Sequence, residues 1–344
     1  MNTKEQTRRL WKTCFDDDDA FVDLYFNMRY QEEINQVIEE DGKVVAALQM
    51  IPYPMTFCGH DIPMSYISGA CTLPDYRNRG IMRRLLYQTH RAMHNQGVLV
   101  ASLIPAEEWL KAYYGRSGYA VCFNYSTKVI NSYEQPVNNY KTNLFISKLD
   151  LLKKVSSEVY TFFNEQMNER LCCVQHTIED MEIVLADLRL SGGDLWTIHE
   201  GGQLTGMVFC VPQKDVLSVK EILLSDAEDE TPAILHILTQ YKLKKAELFV
   251  PSSDADHPLG MARLIDVPAC LELFAQSDSG KHIDLYIEVI DDEAIPSNNG
   301  FYHLCNGKVE RGYQEGPDFR VFTIRELTAW IMKDLHPYMS LMLN

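Results

Sequence analysis

The sequence predicts an α/β (α+β) protein, and three observations predict it. Short apolar runs bounded by turn residues, such as Lys43 to Ile51, Ser65 to Leu73 and Leu204 to Val211, read as strands. Between them lie stretches with apolar residues at helical spacing, of which Ile81, Met82, Leu85, Leu86, Thr89 and Met93 are the clearest. The order helix, helix, hairpin, strand then occurs twice along the chain.

The first unit opens with an amphipathic helix around Thr7 to Phe15 and a second through Phe21 to Tyr30. The Asp16 to Asp19 run between them reads as a solvated turn that caps the second helix rather than as a cation site. Antiparallel strands follow at Lys43 to Ile51, Met55 to Phe57 and Ser65 to Leu73, with a turn at Gly59 to Asp61. An amphipathic helix begins near Gly80, and the apolar segment Val98 to Ile104 is the next strand. Ala120 to Ile130 reads as a closing strand, and the polar, Pro-containing stretch Asn131 to Asn143 as a linker. A domain boundary is therefore expected near residue 140.

The second unit offers helices near Leu149 to Asn168 and Ile178 to Ser191. Strands follow at Asp194 to His199, Leu204 to Val211 and Val216 to Leu224, then a helix at Pro232 to Tyr241. A last unit opens around Met261 and continues through strands Ile283 to Ile290 and Phe301 to Cys305, an Asn306-Gly307 turn and a helix from Ile324 to Asp334. The expected domains are 1–140, 141–258 and 259–344.

Composition excludes more than it selects. A 46% hydrophobic content fills proper cores over 344 residues, and no run of about 18 apolar residues predicts a membrane span. With no apolar run after the charged start, the chain reads as soluble and cytoplasmic. The formal charge of −16 argues against nucleic acid, which needs basic faces. Nine scattered cysteines without a Cys-x-x-Cys pair read as reduced thiols, and the ten histidines, His303 and His336 among them, show no metal-ligand spacing. No metal is expected.

Against the acidic whole stands one basic stretch. Residues 76–91 hold Arg77, Arg79, Arg83, Arg84 and Arg91 and no carboxylate, and they open a helix just after an apolar segment. The first turn of a helix presents unpaired N–H groups and the positive end of its dipole, so this is a pattern for cradling an anion, with Gly80 letting backbone approach it. An ordinary helix entry with solvated arginines is the alternative on spacing alone.

Arg77-Asn-Arg-Gly80-Ile-Met82 resembles the Arg/Gln-x-x-Gly-x-Gly/Ala signature of the GCN5-related N-acetyltransferases (GNAT), with Met82 in place of the final small residue. That bulky residue, and the Pro-x-x-Arg-x-Arg-Gly run, are similar to the enhanced intracellular survival (Eis) branch. Ala112-Tyr-Tyr114-Gly-Arg-Ser-Gly-Tyr119 resembles that branch's Tyr-Gly-Arg-Phe-Gly-Tyr segment, with Ser117 where Phe is usual. The specificity of the resemblance lies in residues 70–119.

The resemblance implies a GNAT fold and a C-terminal sterol carrier protein-like domain, and the repeated element order reads as a duplicated second GNAT-like domain, with an unrelated α/β domain of the same element order as the alternative. The resemblance also implies acetyl-CoA as cosubstrate, held by Ala70, Thr72, Arg77, Asn78, Arg79, Gly80, Ile81 and Met82. Four carboxylates in Ser225 to Thr231 stand where the first copy has arginines, so the second copy is read as lacking the cofactor site.

Tyr114 matches the family's acid tyrosine. The general base implied is the C-terminal carboxylate, here Asn344, with Glu107 and Glu108 as alternatives. Direct attack of an amine on a thioester needs no enzyme nucleophile, so the lack of a nucleophile triad is consistent. The expected activity is transfer of acetyl to a primary amine of a small-molecule or peptide acceptor, whose positive charge would suit the acidic chain. A homo-oligomer is expected by resemblance, with no nucleic acid or membrane partner. A non-catalytic acyl-CoA or apolar-ligand binding protein is the alternative.

Overall fold

The computed structural model describes residues 2–133, 144–252, 257–312 and 318–343. The chain starts with α1 (Thr3–Cys14), whose first turn is closed by the Asn2 side chain accepting from the Glu5 N–H at 2.9 Å. Asp18 of the Asp run caps α2 (Asp19–Leu24) by accepting from the Phe21 N–H at 2.7 Å. The second helix expected to reach Tyr30 instead widens into a π turn at Tyr25–Arg29.

Strands β1 (Asn35–Glu40), β2 (Lys43–Phe57) and β3 (His60–Thr72) form an antiparallel meander. The break expected in β2 at Pro52 and Pro54 does not occur, and register explains why. Pro54 faces Pro63, whose carbonyl accepts from the Leu99 N–H on the opposite edge at 3.0 Å, so this is a pair that exchanges no backbone bonds. Pro52 lies two residues away on the same edge, and neither missing N–H is needed between these strands.

Helix α3 (Ile81–Asn95) leads to β4 (Val100–Leu103), which lies parallel to β3 with Met64 opposite Val100. Helix α4 (Glu108–Gly115) and the long strand β5 (Ala120–Asn131) follow. Contacts divide the chain into two compact units, Met1–Phe123 with Pro258–Pro337, and Asn124–His257 with Tyr338–Asn344. The change of unit by contacts falls inside β5, because from Tyr125 onward this strand pairs with a strand of the second unit. Most of the linker read at Asn131 to Asn143 lies outside the described residues.

The second unit comprises β6 (Leu144–Lys148), α5 (Ser157–Asn168), β7 (Cys172–Val174), α6 (Ile178–Leu190), β8 (Asp194–Glu200), β9 (Gln203–Pro212), β10 (Leu217–Leu224), α7 (Glu230–Tyr241) and β11 (Lys245–Pro251). Its strands run β6-β8-β9-β10-β11, closed by the second half of β5 antiparallel to β11. Phe163, Met181, Leu195 and Phe209 pack one face of this sheet, and Val208, Ile234, Ile237 and Leu248 the other. Helix, helix, hairpin, strand, helix, strand is thus the order in both units.

Strand β12 (His257–Leu264) runs antiparallel to β4, pairing Met261 with Leu103. This segment, where the last expected domain begins, thus adds a strand beside β4. After α8 (Val267–Gln276) come β13 (Asp284–Ile290), β14 (Gly300–Cys305), β15 (Lys308–Arg311) and β16 (Arg320–Thr323), then α9 (Ile324–Met332). These four strands form their own sheet in the order β15-β14-β13-β16. The Asn306-Gly307 turn has φ of 52° and 73°, the left-handed pair such a hairpin requires.

The tail returns to the second unit. Tyr338 and β7 exchange backbone bonds, Val174 N–H to the Tyr338 carbonyl at 3.1 Å and Tyr338 N–H to the Cys172 carbonyl at 3.0 Å. Ser340 O lies 3.1 Å from His176 Nε2. Among the described residues no helix is long and apolar enough to cross a membrane.

Candidate functional site

Strand β3 runs through the Pro74–Tyr76 turn into the start of α3, an uncapped helix entry of the kind that suits an anion. Arg77 closes the Pro74–Tyr76 turn, Asn78 takes φ of 60°, and Gly80 takes φ of 74° immediately before the helix. No side chain caps α3. Its ladder begins with the Arg84 N–H bonded to Gly80 O at 3.0 Å, which leaves the N–H groups of Ile81, Met82 and Arg83 without helical partners. A β-carbon at Gly80 would meet nothing within 4 Å, so glycine is required there for its backbone angle.

A cleft of about 860 Å³ opens over this helix start. Ala70, Thr72, Arg77, Asn78, Gly80, Ile81 and Met82 line it, as does Tyr114. Arg79 is not among the lining residues and stacks its guanidinium on the Tyr76 ring, 5.1 Å from the centroid. Asn344 lies outside the described residues. Of the two alternative carboxylates, Glu107 lines the cleft and accepts from Trp109 Nε1 at 2.6 Å; Glu108 is outside the lining and pairs with Lys111 at 2.6 Å.

The arginines divide their work. Arg77 Nε donates to Thr72 O at 3.1 Å, fixing the loop to the end of β3. Arg83 pairs with Glu293 at 2.6 Å, and Arg91 Nε donates to Ala294 O at 2.8 Å, so both are committed to the 293–294 segment. The positive groups at the cleft are the open N–H groups at the helix start, Arg77 and Arg116, with Arg83 at the wall but paired to Glu293.

Tyr114 sits in the last turn of α4, buried, edge-on to Tyr113 at 5.5 Å and to Tyr119 at 5.9 Å. Its hydroxyl donates to no described protein group, and burial pushes its pKa above the ordinary phenol value, so the proton stays on. Tyr119 behind it is fixed by His90, whose Nε2 lies 2.9 Å from the Tyr119 hydroxyl.

Sequence reasoning did not single out Cys14, Tyr76 or Trp109 as wall residues, nor Arg263 beneath the site. Cys14 Sγ lies 3.4 Å from Thr72 O, and contacts with the Cys71 thiol and with Arg77 lower its pKa to about 6. Cys14 comes from α1 and Cys71 from β3, and only the packing of helix on sheet joins them. Trp109 did carry a signal, since a Trp directly after Glu107 and Glu108 sets a large apolar ring in a charged stretch.

Residues 2–122 match the acetyltransferase (GNAT) domain family. No curated protein sequence matches the chain. In fold, the chain is similar to a GCN5-related N-acetyltransferase from Anabaena variabilis (TM-score 0.75, 16% identity, 97% of this chain and 96% of that one). It is also similar to Eis1 from Mycobacterium abscessus (0.74, 18%, 96% and 87%) and to a GCN5-related N-acetyltransferase from Kribbella flavida (0.76, 14%, 99% and 95%). At these identities the likeness speaks for the fold, while the domain match speaks for the chemistry of residues 2–122. Residues 2–122 are therefore an acetyltransferase (GNAT) domain, carried in a chain whose fold is that of the GCN5-related N-acetyltransferase structures it is similar to.

Proposed function

We propose that the chain transfers the acetyl group of acetyl-CoA directly to a primary amine of a cationic acceptor. The observation that carries this reading is the joint lining of one cleft by the uncapped start of α3 and by Tyr114, whose hydroxyl meets no hydrogen-bond partner among the described residues. The residues fit the cosubstrate: open N–H groups and Arg77 suit a diphosphate, and the buried Thr72 Oγ1 has no hydrogen-bond partner among the described residues. Acetyl-CoA supplies an activated acyl thioester. Tyr114 holds a proton for the leaving sulfur; burial makes the phenol a weaker acid, and a thiolate beside the same apolar wall is likewise a stronger base.

For the base we retain the C-terminal carboxylate of Asn344 suggested by the resemblance, with Glu107 as its rival at the cleft wall. The net charge of −16 favours a cationic amine. The second unit is a copy without a cofactor site: Asp226 accepts from the Glu228 N–H at 2.9 Å, and Asp229 and Glu230 follow directly at the start of α7, where an anion would be repelled. We also keep the division into 1–140, 141–258 and 259–344, with β12 lent to the first sheet and the β13–β16 sheet as the sterol carrier protein-like part.

Thiol release from acetyl-CoA, measured over polyamines, aminoglycosides and lysine peptides, tests the reading. Turnover with at least one amine supports it; cofactor binding without turnover on any amine replaces it with a binding protein. Extension of the chain beyond Asn344 abolishes turnover if the terminal carboxylate is the base, and Glu107→Gln does so if Glu107 is.

A further inference from the structure

His303 lacked a ligand set in the sequence, and the fold supplies one. The antiparallel register of β13 and β14 places Asp284 opposite Cys305 and Tyr286 opposite His303. His303 and Cys305, two residues apart, share a face of β14, and their partners share it too. The donor atoms of Asp284, His303 and Cys305 lie within 4.8 Å of one another. We propose that these three side chains bind a zinc-class divalent cation on the outer face of the β13–β16 sheet.

The donor set selects the metal. One thiolate, one imidazole and one carboxylate neutralise a divalent cation, and nitrogen with sulfur favours zinc over magnesium or calcium. His303 Nε2 and Asp284 Oδ1 are 2.8 Å apart, whereas two such atoms on one tetrahedral zinc stand about 3.3 Å apart, so a shift of about half an ångström converts the hydrogen bond into two metal bonds. The His303 ring is already held by Tyr286, stacked at 3.9 Å with the planes 4° apart. Metal binding replaces the S–H bond of Cys305 by a metal–sulfur bond and releases that proton to solvent. A fourth position is left for water or for Glu310, which the β14–β15 register sets opposite His303 on the same face.

The site joins the start of β13 to the end of β14, so its role is to clamp the sheet. It stands apart from the cleft over α3 and does not depend on the acyl-transfer reading. The test is a cobalt titration of the full chain, stripped with chelator and kept reduced. One cobalt per chain with a thiolate-to-cobalt band is expected, displaced by zinc. The band is lost in Cys305→Ser, affinity falls at least tenfold in His303→Ala, and Cys14→Ser leaves both unchanged. As a check that needs no variant, zinc protects Cys305 of the wild-type chain from alkylation, read by peptide mapping. No band in the wild type, a band that survives in both Cys305→Ser and His303→Ala, or no protection of Cys305 overturns the proposal.

Discussion

Arg263 and Asp292 form a buried ion pair at 2.6 Å, with side chains 2% and 0% exposed. Arg263 also donates to Ser117 O at 2.9 Å, and Asp292 accepts from the Ile295 N–H and from Asn298 Nδ2, both at 2.9 Å. The pair therefore ties the segment just after Tyr114 to the 291–298 loop. Removing one partner strands the other charge without water, so Arg263→Met is expected to cost about 3–5 kcal/mol in chemical denaturation. A loss under about 1 kcal/mol would show that the pair is dispensable.

Gly118 lies against this pair with φ of 88°, and a β-carbon there would stand 2.0 Å from Arg263 Nη1. Gly118→Ala should therefore destabilise the chain and also lower turnover, because the collision displaces the segment that carries Tyr114. Gly80→Ala is the contrasting case: the space is open and only the backbone angle resists, at about 1–2 kcal/mol. It is expected to raise the KM for acetyl-CoA more than it lowers kcat, since it disturbs the cradle alone.

Cys14 provides a pH test of the cleft. With its pKa lowered to about 6, its thiolate fraction rises through pH 6 and is nearly complete by pH 7.5. An ordinary thiol is still mostly protonated there, with a pKa of about 8.5. Alkylation mapped by peptide should level off for Cys14 while that of a free cysteine in a reference peptide keeps rising, and Arg77→Ala should move the Cys14 midpoint upward. A midpoint near 8.5 would contradict the geometry of Cys14, Cys71 and Arg77.

His90 predicts acid sensitivity. Burial pushes its pKa well below the ordinary value, so the folded chain keeps it neutral while the unfolded chain protonates it below about 6.5. This contribution is therefore full at neutral pH and lost as pH falls below the unfolded value, by at most about 1.4 kcal/mol per pH unit. The stability of His90→Gln should fall less steeply between pH 6.5 and 5 than that of the wild type; equal slopes would mean that His90 titrates normally.

Much of the first unit was legible because its signals are local. The helical stripe from Ile81 to Met93, the capping Asp18 and the run Arg77 to Met82 each act through near neighbours in the chain. Pairing across long separations was not legible: nothing near Met261 says that it will lie beside Leu103, and nothing near Cys14 names Cys71. The continuity of β2 across Pro52 and Pro54 depends on which edge each proline presents, a property of register rather than of composition. The division of the two glutamates, Glu107 toward the cleft and Glu108 toward Lys111, likewise required the packed helix.

The most direct measurement is the comparison of Tyr114→Phe with the wild type, reading thiol release and coenzyme A affinity on the same preparations. The account predicts a fall in kcat of about 10²-fold or more with affinity changed less than about threefold, because the hydroxyl supplies a proton and not a binding contact. Unchanged turnover in Tyr114→Phe would remove that residue from the chemistry, and wild-type binding of coenzyme A without thiol release to any amine would contradict acyl transfer itself.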